Sequence, residues 1–186
     1  MNAQSFQFMR EQIAWAFDSD TKAGCLHEGS GGFAGFGSKC LLPPWAFTQK
    51  PFVVAVNKLS KNDKALLFFT TSLAISKTEM TNLMLALWFE FYKTYHVSRR
   101  MNGKTLPKAQ RLLEWAFINY KNELDGKPQT KQKDIMEAIE VNDLKTFKRD
   151  WLPRLAIMKQ LIASKEEAAL SQVLSQMDDR RKQHYA

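Results

Sequence analysis

The chain has 186 residues, and its 27 basic against 19 acidic side chains give a formal net charge of +8. Hydrophobic residues make up 45% of it and aromatic residues 12%, which excludes a disordered polybasic protein and allows a buried core. The apolar runs are far shorter than the ~20 residues that span a bilayer, so we expect no membrane segment. The N-terminal MNAQSFQFMR lacks a basic region followed by an apolar stretch, so we expect no secretory signal and a cytoplasmic location.

Helical periodicity dominates the first half of the chain. A first helix is predicted over residues 5–17, and a loop follows because six of the eight glycines fall in residues 24–37. After a short apolar helix that ends near Leu59, two serines have capping-box spacing to an acidic residue. Ser60 is predicted to begin a helix to about residue 75, and Ser76 one to about residue 96.

The second half is also predicted to be helical. A helix is expected over residues 106–123, with Thr105 as its N-cap and Pro107 in its first turn, where the missing N–H has little effect. Residues 125–130 (DGKPQT) have the glycine and proline of a linker. Further helices are predicted over residues 131–141, 144–152 and 154–177. No strand-like alternation lasts long enough to indicate a sheet, so the predicted fold class is all-α.

Most of the excess charge lies in one segment. Residues 93–121 contain seven Lys or Arg and one acid, Glu114, and so account for six of the eight net positive charges. At ~100° per residue, Lys104, Lys108 and Arg111 share one face of the 106–123 helix, opposite an apolar face. A merely solvated face usually mixes charges of both signs. The candidate DNA-binding residues are therefore basic side chains of this segment: Lys93, Arg99, Arg100, Lys104, Lys108 and Arg111.

A helix, a short basic connection and a basic-faced helix have the outline of a helix-turn-helix at about residues 78–123. We therefore predict a helical DNA-binding domain over residues 1–124 and a C-terminal helical extension over residues 125–186. The final helix has an apolar stripe that is expected to pack on the main body, or alternatively to serve dimerisation or a polymerase contact. This pattern does not distinguish a monomer from a dimer.

The segment FYKTYHVSRRMNGKTLPKAQRLLEWAF, residues 91–117, resembles the helix-turn-helix of the late-gene antitermination proteins (Q proteins) of lambdoid phages, in the branch without a zinc finger. The shared features are Ser98, the Gly103-Lys104-x-Leu106-x-Lys108-Ala109 run, and an aliphatic pair followed by Glu114. Weaker similarity extends the resemblance over roughly residues 5–120. Residues 125–186 extend past it.

The resemblance implies a protein that binds double-stranded DNA overlapping a late promoter in a bacterial host. It would then load onto paused bacterial RNA polymerase and make it read through terminators. By position, the resemblance places Arg99, Arg100, Lys104, Lys108 and Arg111 towards DNA. Two alternatives stay open: a helix-turn-helix repressor or activator without antitermination, and a helical inhibitor whose basic face binds an acidic protein.

Other chemistry has weak support in the sequence. Cys25, His27 and Cys40 could bind zinc with His96 as a fourth ligand, but structural zinc sites usually show two short paired spacings and this chain has one. Cys25 and His27 have no third group to orient them for nucleophilic catalysis. The glycine-rich loop lacks the Lys-Ser/Thr ending and the preceding strand of a phosphate-binding loop. We therefore expect no catalytic residues, no metal, no cofactor and no enzymatic activity.

Overall fold

The structure is a computed structural model, and it describes residues 3–28, 44–96 and 101–184. Helices form all of the regular secondary structure in these residues. Their order along the chain is α1 (Ala3–Glu28), α2 (Pro44–Asn57), α3 (Lys61–Thr70), α4 (Lys77–His96), α5 (Thr105–Leu124), α6 (Gln132–Ala138), α7 (Leu144–Thr146), a π-helical turn (Phe147–Trp151) and α8 (Leu152–His184). The prediction of an all-α fold is confirmed. None of the described helices is long and apolar enough to cross a membrane.

Two of the predicted helix starts are capped as expected. The Ser60 hydroxyl accepts a hydrogen bond from the Asp63 N–H at 3.2 Å and donates one to the Asp63 carboxylate at 2.6 Å. At α4 the box is complete, because the Glu79 carboxylate also accepts from the Ser76 N–H at 2.9 Å while the Ser76 hydroxyl accepts from the Glu79 N–H. The longer glutamate side chain makes the reciprocal bond to the backbone.

Several predicted helix ends were wrong, including that of α3, which ends at Thr70 and not near residue 75. Helix α1 continues to Glu28, past the predicted end at residue 17 and into the predicted glycine loop. Only one glycine, Gly24, precedes Gly29, and a single glycine costs about 1 kcal/mol, which a helix can tolerate. The predicted break at Pro153 is absent, because α7, the π-helical turn and α8 follow one another without interruption. In the wider turn the Leu152 N–H bonds to the Phe147 carbonyl, five residues back.

The chain forms two compact units. One unit comprises residues 1–75 and 167–186, and the other comprises residues 76–166. The sequence could not indicate this grouping, because the last helix contributes residues to both units. The first unit has a core of buried apolar side chains from α1, α2, the connection after α2, α3 and the second half of α8: Met9, Ile13, Ala55, Val56, Leu59, Leu67, Ala169, Leu170 and Val173.

The second unit contains the predicted helix-turn-helix segment. Its buried residues come from α4, α5, α6, the π-helical turn and the first part of α8, and include Phe91, Leu112, Phe117, Ile135, Phe147 and Ile162. Polar contacts reinforce this packing. Lys165 of α8 forms an ion pair with Glu90 of α4 at 2.7 Å, and Lys159 forms one with Glu123 of α5. Helix α5 is thus held between neighbours within one unit.

Candidate nucleic-acid interface

Helices α4 and α5 lie next to each other along the chain, and residues 97–104 connect them. Asn102 caps the start of α5, because its side-chain oxygen accepts from the backbone N–H groups of Lys104 and Thr105 at 3.1 and 3.0 Å. Thr105 is therefore not the N-cap that the sequence suggested. Its hydroxyl instead donates to the Asn102 carbonyl at 3.0 Å. Pro107 lies in the first turn, as predicted.

The six candidate DNA-binding residues have different surroundings. Lys93 near the end of α4 and Lys104 just before α5 are exposed. Arg99 and Arg100 lie outside the described residues. Lys108 is partly buried, whereas the Arg111 side chain is 51% exposed. The structure thus places four of the six, and two of those four contact another part of the chain.

The apolar face of α5 is buried as predicted. Its buried residues are Ala109, Leu112, Leu113, Ala116, Phe117, Asn119 and Tyr120. The exposed side carries Pro107, Gln110, Arg111, Glu114 and Ile118. This side is rotated from the face predicted from charge, because Lys108 and Trp115 are partly buried. Arg111 is the basic residue that lies well inside the exposed side.

The C-terminal end of α6 contacts both Lys108 and Arg111. The Lys108 ammonium donates to the Glu140 carbonyl at 2.6 Å. Arg111 Nη1 donates to the Ala138 carbonyl at 3.3 Å and to Glu140 Oε1 at 2.6 Å. Two cations of the candidate interface therefore bind three oxygen atoms near the end of α6, namely two backbone carbonyls and one carboxylate oxygen. Carbonyl groups at a helix end have no partner within the helix.

The backbone after α6 sets the position of Glu140. Its φ is +55°, in the left-handed region. The Glu140 N–H bonds to the Glu137 carbonyl, and the Val141 N–H bonds to the Met136 carbonyl at 2.9 Å. This pair of hydrogen bonds is the Schellman arrangement that ends many helices, with Glu140 at the position that glycine usually occupies.

Arg111 also changes the acidity of Glu140. Its hydrogen bond and its positive charge hold the pKa of the Glu140 carboxyl below the ordinary range, and Lys108 adds a smaller effect in the same direction. Both partners remain substantially exposed, at 51% for Arg111 and 65% for Glu140. The ion pair is therefore formed in contact with solvent, where another anion can reach the guanidinium.

The predicted linker is ordered at both of its ends. Gly126 has a φ of +65°, and the Lys127 N–H bonds to the Asn122 carbonyl at 2.8 Å, which closes α5 with a second Schellman arrangement. The buried Asn119 side chain then accepts from the Thr130 N–H at 2.8 Å. Residues 126–130 are thus hydrogen-bonded to α5 at both ends, and these bonds set where α6 begins relative to α5.

Sequence reasoning missed Glu140. The near absence of acidic residues from residues 93–121 favoured an anion-binding face, but charge counted along one segment does not include partners from elsewhere in the chain. Glu140 is 29 residues from Arg111. No spacing rule for a single helix connects Arg111 with Glu140. The one sequence feature that could have suggested the contact is the predicted helix end near residue 141, because a helix end offers free carbonyl groups.

The suggested metal ligands fall largely outside the described part of the chain. The side chains of Cys25, His27, Cys40 and His96 are not among those described. Among the described residues, no three His, Cys, Asp or Glu side chains come close enough together to hold a metal ion.

Comparison with known proteins adds independent evidence. The family model described as phage antitermination protein Q matches residues 32–186. Antitermination protein Q of enterobacteria phage 82 is 27% identical over 136 residues, which cover 72% of this chain and 59% of that protein. The match thus spans less than two thirds of the length of this relative. No solved structure is similar.

The family match includes the segment for which the sequence resemblance alone gave no counterpart, residues 125–186. Helix α6 and Glu140, which contact the basic residues of α5, therefore lie within the matched region. The match covers most of the chain and carries the description of a regulatory factor. Together with the resemblance of residues 91–117, this family match shows that the chain belongs to the phage antitermination protein Q family.

Proposed function

We propose that the chain is a transcription antitermination factor that acts in the cytoplasm of a bacterial host. It binds double-stranded DNA near a phage late promoter and then modifies RNA polymerase so that terminators are read through. The observation that carries this proposal is the family match over residues 32–186. The name of the phage 82 relative supports the same activity.

In this proposal, α4 and α5 act as a helix-turn-helix. Exposed Lys93 lies near the end of α4, and exposed Lys104 lies in the connection that also contains Arg99 and Arg100. Four basic residues are therefore concentrated in or just before this connection. Arg111 adds a guanidinium on the exposed side of α5. Such groups can contact phosphate oxygens, and arginine can also bind the O6 and N7 atoms of guanine. Lys108 contributes after release from the Glu140 carbonyl.

DNA binding is tested by measuring affinity for duplex DNA over a range of salt concentrations. Lys104→Ala and Arg111→Ala should each reduce the log–log salt slope by about 1, because each removes one phosphate contact. Lys148→Ala is the matched control, since Lys148 is an exposed lysine outside the helix pair and should leave the slope unchanged. No DNA binding, or the same slope in all variants, would contradict the proposal and favour an acidic protein partner.

Antitermination is tested by transcription with purified bacterial RNA polymerase. The template carries the late promoter of the same phage genome followed by a terminator, and a matched template lacks the promoter-proximal DNA. We expect read-through with the first template and not with the second. A change in initiation without read-through would instead identify a helix-turn-helix repressor or activator.

A further inference from the structure

The Lys108 and Arg111 side chains already have an internal anionic partner. Glu140 binds Arg111 through its carboxylate and Lys108 through its carbonyl, both at 2.6 Å. A DNA phosphate offers the same chemistry as this carboxylate, namely anionic oxygens that accept from a guanidinium. Glu140 and a phosphate that approaches Nη1 therefore compete for the same guanidinium.

The conformation of Glu140 indicates that its side chain has a role of its own. A residue other than glycine in the left-handed region costs about 1 kcal/mol or more relative to glycine. The corresponding position after α5 is Gly126, which forms the same type of turn without this cost. Glycine at position 140 would end α6 equally well but would provide no carboxylate. What glutamate adds at this position is the ion pair with Arg111.

The charge of Glu140 acts against DNA through Arg111. It neutralises the basic residue that lies well inside the exposed side of α5. The pair is exposed to water, and exposed ion pairs contribute little to stability, typically about 0–1 kcal/mol. A phosphate can therefore displace Glu140 without disrupting the core.

We propose that Glu140 is an internal competitor of the DNA backbone, which holds Arg111 in the free protein and lowers the affinity for DNA until a phosphate takes its place. The competition depends on the proposed function, because without DNA binding Glu140 has nothing to compete with. The partner that displaces it is a double-stranded polyanion, and the site is Arg111 with Lys108.

The test compares Glu140→Gln with Glu137→Gln in the full chain. Glu137 is an exposed glutamate of α6 three residues earlier, so both variants remove one negative charge from the same region. The probe is a mixed-sequence DNA duplex of about three helical turns. Glu140→Gln should bind it about threefold to tenfold more tightly than the unsubstituted chain, because Arg111 is no longer paired with a carboxylate. Glu137→Gln should change the affinity by less than about twofold.

A second comparison asks whether Glu140 acts through Arg111. In an Arg111→Ala background, adding Glu140→Gln should leave the affinity unchanged to within about twofold, because the two positions are coupled. Glu140→Asn repeats the experiment with a residue that tolerates the left-handed conformation, so a folding defect of one variant does not decide the outcome.

The possible failures are distinguishable. If neither the original chain nor Glu140→Gln binds the duplex, the proposed DNA binding is wrong and the competition is wrong with it. If both bind and Arg111→Ala lowers the salt slope, but Glu140→Gln and Glu137→Gln have equal affinities, only the competition is wrong. An equal gain from Glu140→Gln in the presence and absence of Arg111 would likewise overturn it.

Discussion

The Tyr120 hydroxyl donates a hydrogen bond to the Glu166 carboxylate at 2.5 Å, and both side chains are buried. The bond joins α5 to α8 within the unit of residues 76–166, across 46 positions of sequence. A buried carboxylate requires hydrogen-bond donors, because transfer from water to an apolar environment removes its hydration. This contact therefore helps to fix the helix that carries Arg111.

Replacing Tyr120 with phenylalanine tests the contribution of this bond. The ring is kept and one donor to Glu166 is lost, so the free energy of unfolding should fall by about 1–3 kcal/mol. Urea denaturation followed by tryptophan fluorescence measures the change. Glu167→Gln is the control, since Glu167 is exposed and its replacement should alter stability by about 0.5 kcal/mol at most. A Tyr120→Phe variant as stable as the original chain would contradict the assignment.

The capping box of α4 makes a second prediction. Ser76→Ala removes the hydroxyl that accepts from the Glu79 N–H at 3.2 Å, so we expect a loss of about 1 kcal/mol in the free energy of unfolding. Thr78→Ala is a matched control on the same helix, because Thr78 is exposed and does not form the cap. Urea denaturation of the two variants should show a clearly lower midpoint for Ser76→Ala alone, and equal midpoints would contradict the role of the cap.

Two phenylalanines of α4 should differ sharply in their effect on folding. Phe91 is fully buried, whereas Phe89, two residues earlier, is 60% exposed. Phe91→Ala should lower the free energy of unfolding by about 3–5 kcal/mol, because it removes a large buried side chain and leaves a cavity. Phe89→Ala should change it by about 0.5 kcal/mol or less. Thermal unfolding measures both, and similar losses would show that the exposed face of α4 is wrongly assigned.

The ion pair between Arg111 and Glu140 predicts a dependence on pH. Because Arg111 lowers the pKa of Glu140 in the folded chain, the pair stabilises the fold above the unfolded-state pKa of about 4.3 and this contribution is lost as the pH falls through the lower folded-state value. Carbon-13 NMR titration of the Glu140 carboxyl measures that value directly. Arg111→Ala should raise it, and Lys108→Ala should raise it less. An unchanged pKa in Arg111→Ala would show that the pair does not form in solution.

Local chemistry made much of the fold predictable from the sequence. Ser76 and Glu79 are three residues apart, and the bonds that begin α4 depend on that spacing alone. The buried face of α5 also follows from periodicity, because Ala109, Ala116 and Phe117 repeat on one side of the helix. Such features need no knowledge of the rest of the chain.

Features that depend on distant parts of the chain were not predictable. Charge on the helical wheel placed Lys108 on the basic face with Lys104 and Arg111, but the contact with the Glu140 carbonyl leaves Lys108 partly buried. The role of Asn102 as the cap of α5 was missed because the predicted helix start at residue 106 put the cap at Thr105. The continuity past Pro153 depends on a π-helical turn, which has no clear signal in the residue pattern.

The left-handed turn at Glu140 has a consequence for the speed of the proposed exchange. The backbone is held by the hydrogen bonds of Glu140 and Val141 to α6, so releasing Arg111 requires only rotation about side-chain bonds. Exposed side chains change rotamer in picoseconds to nanoseconds. The carboxylate would therefore leave much faster than a DNA molecule arrives by diffusion. Its influence on affinity would be that of a fast pre-equilibrium, and the encounter would not have to wait for a slow opening step.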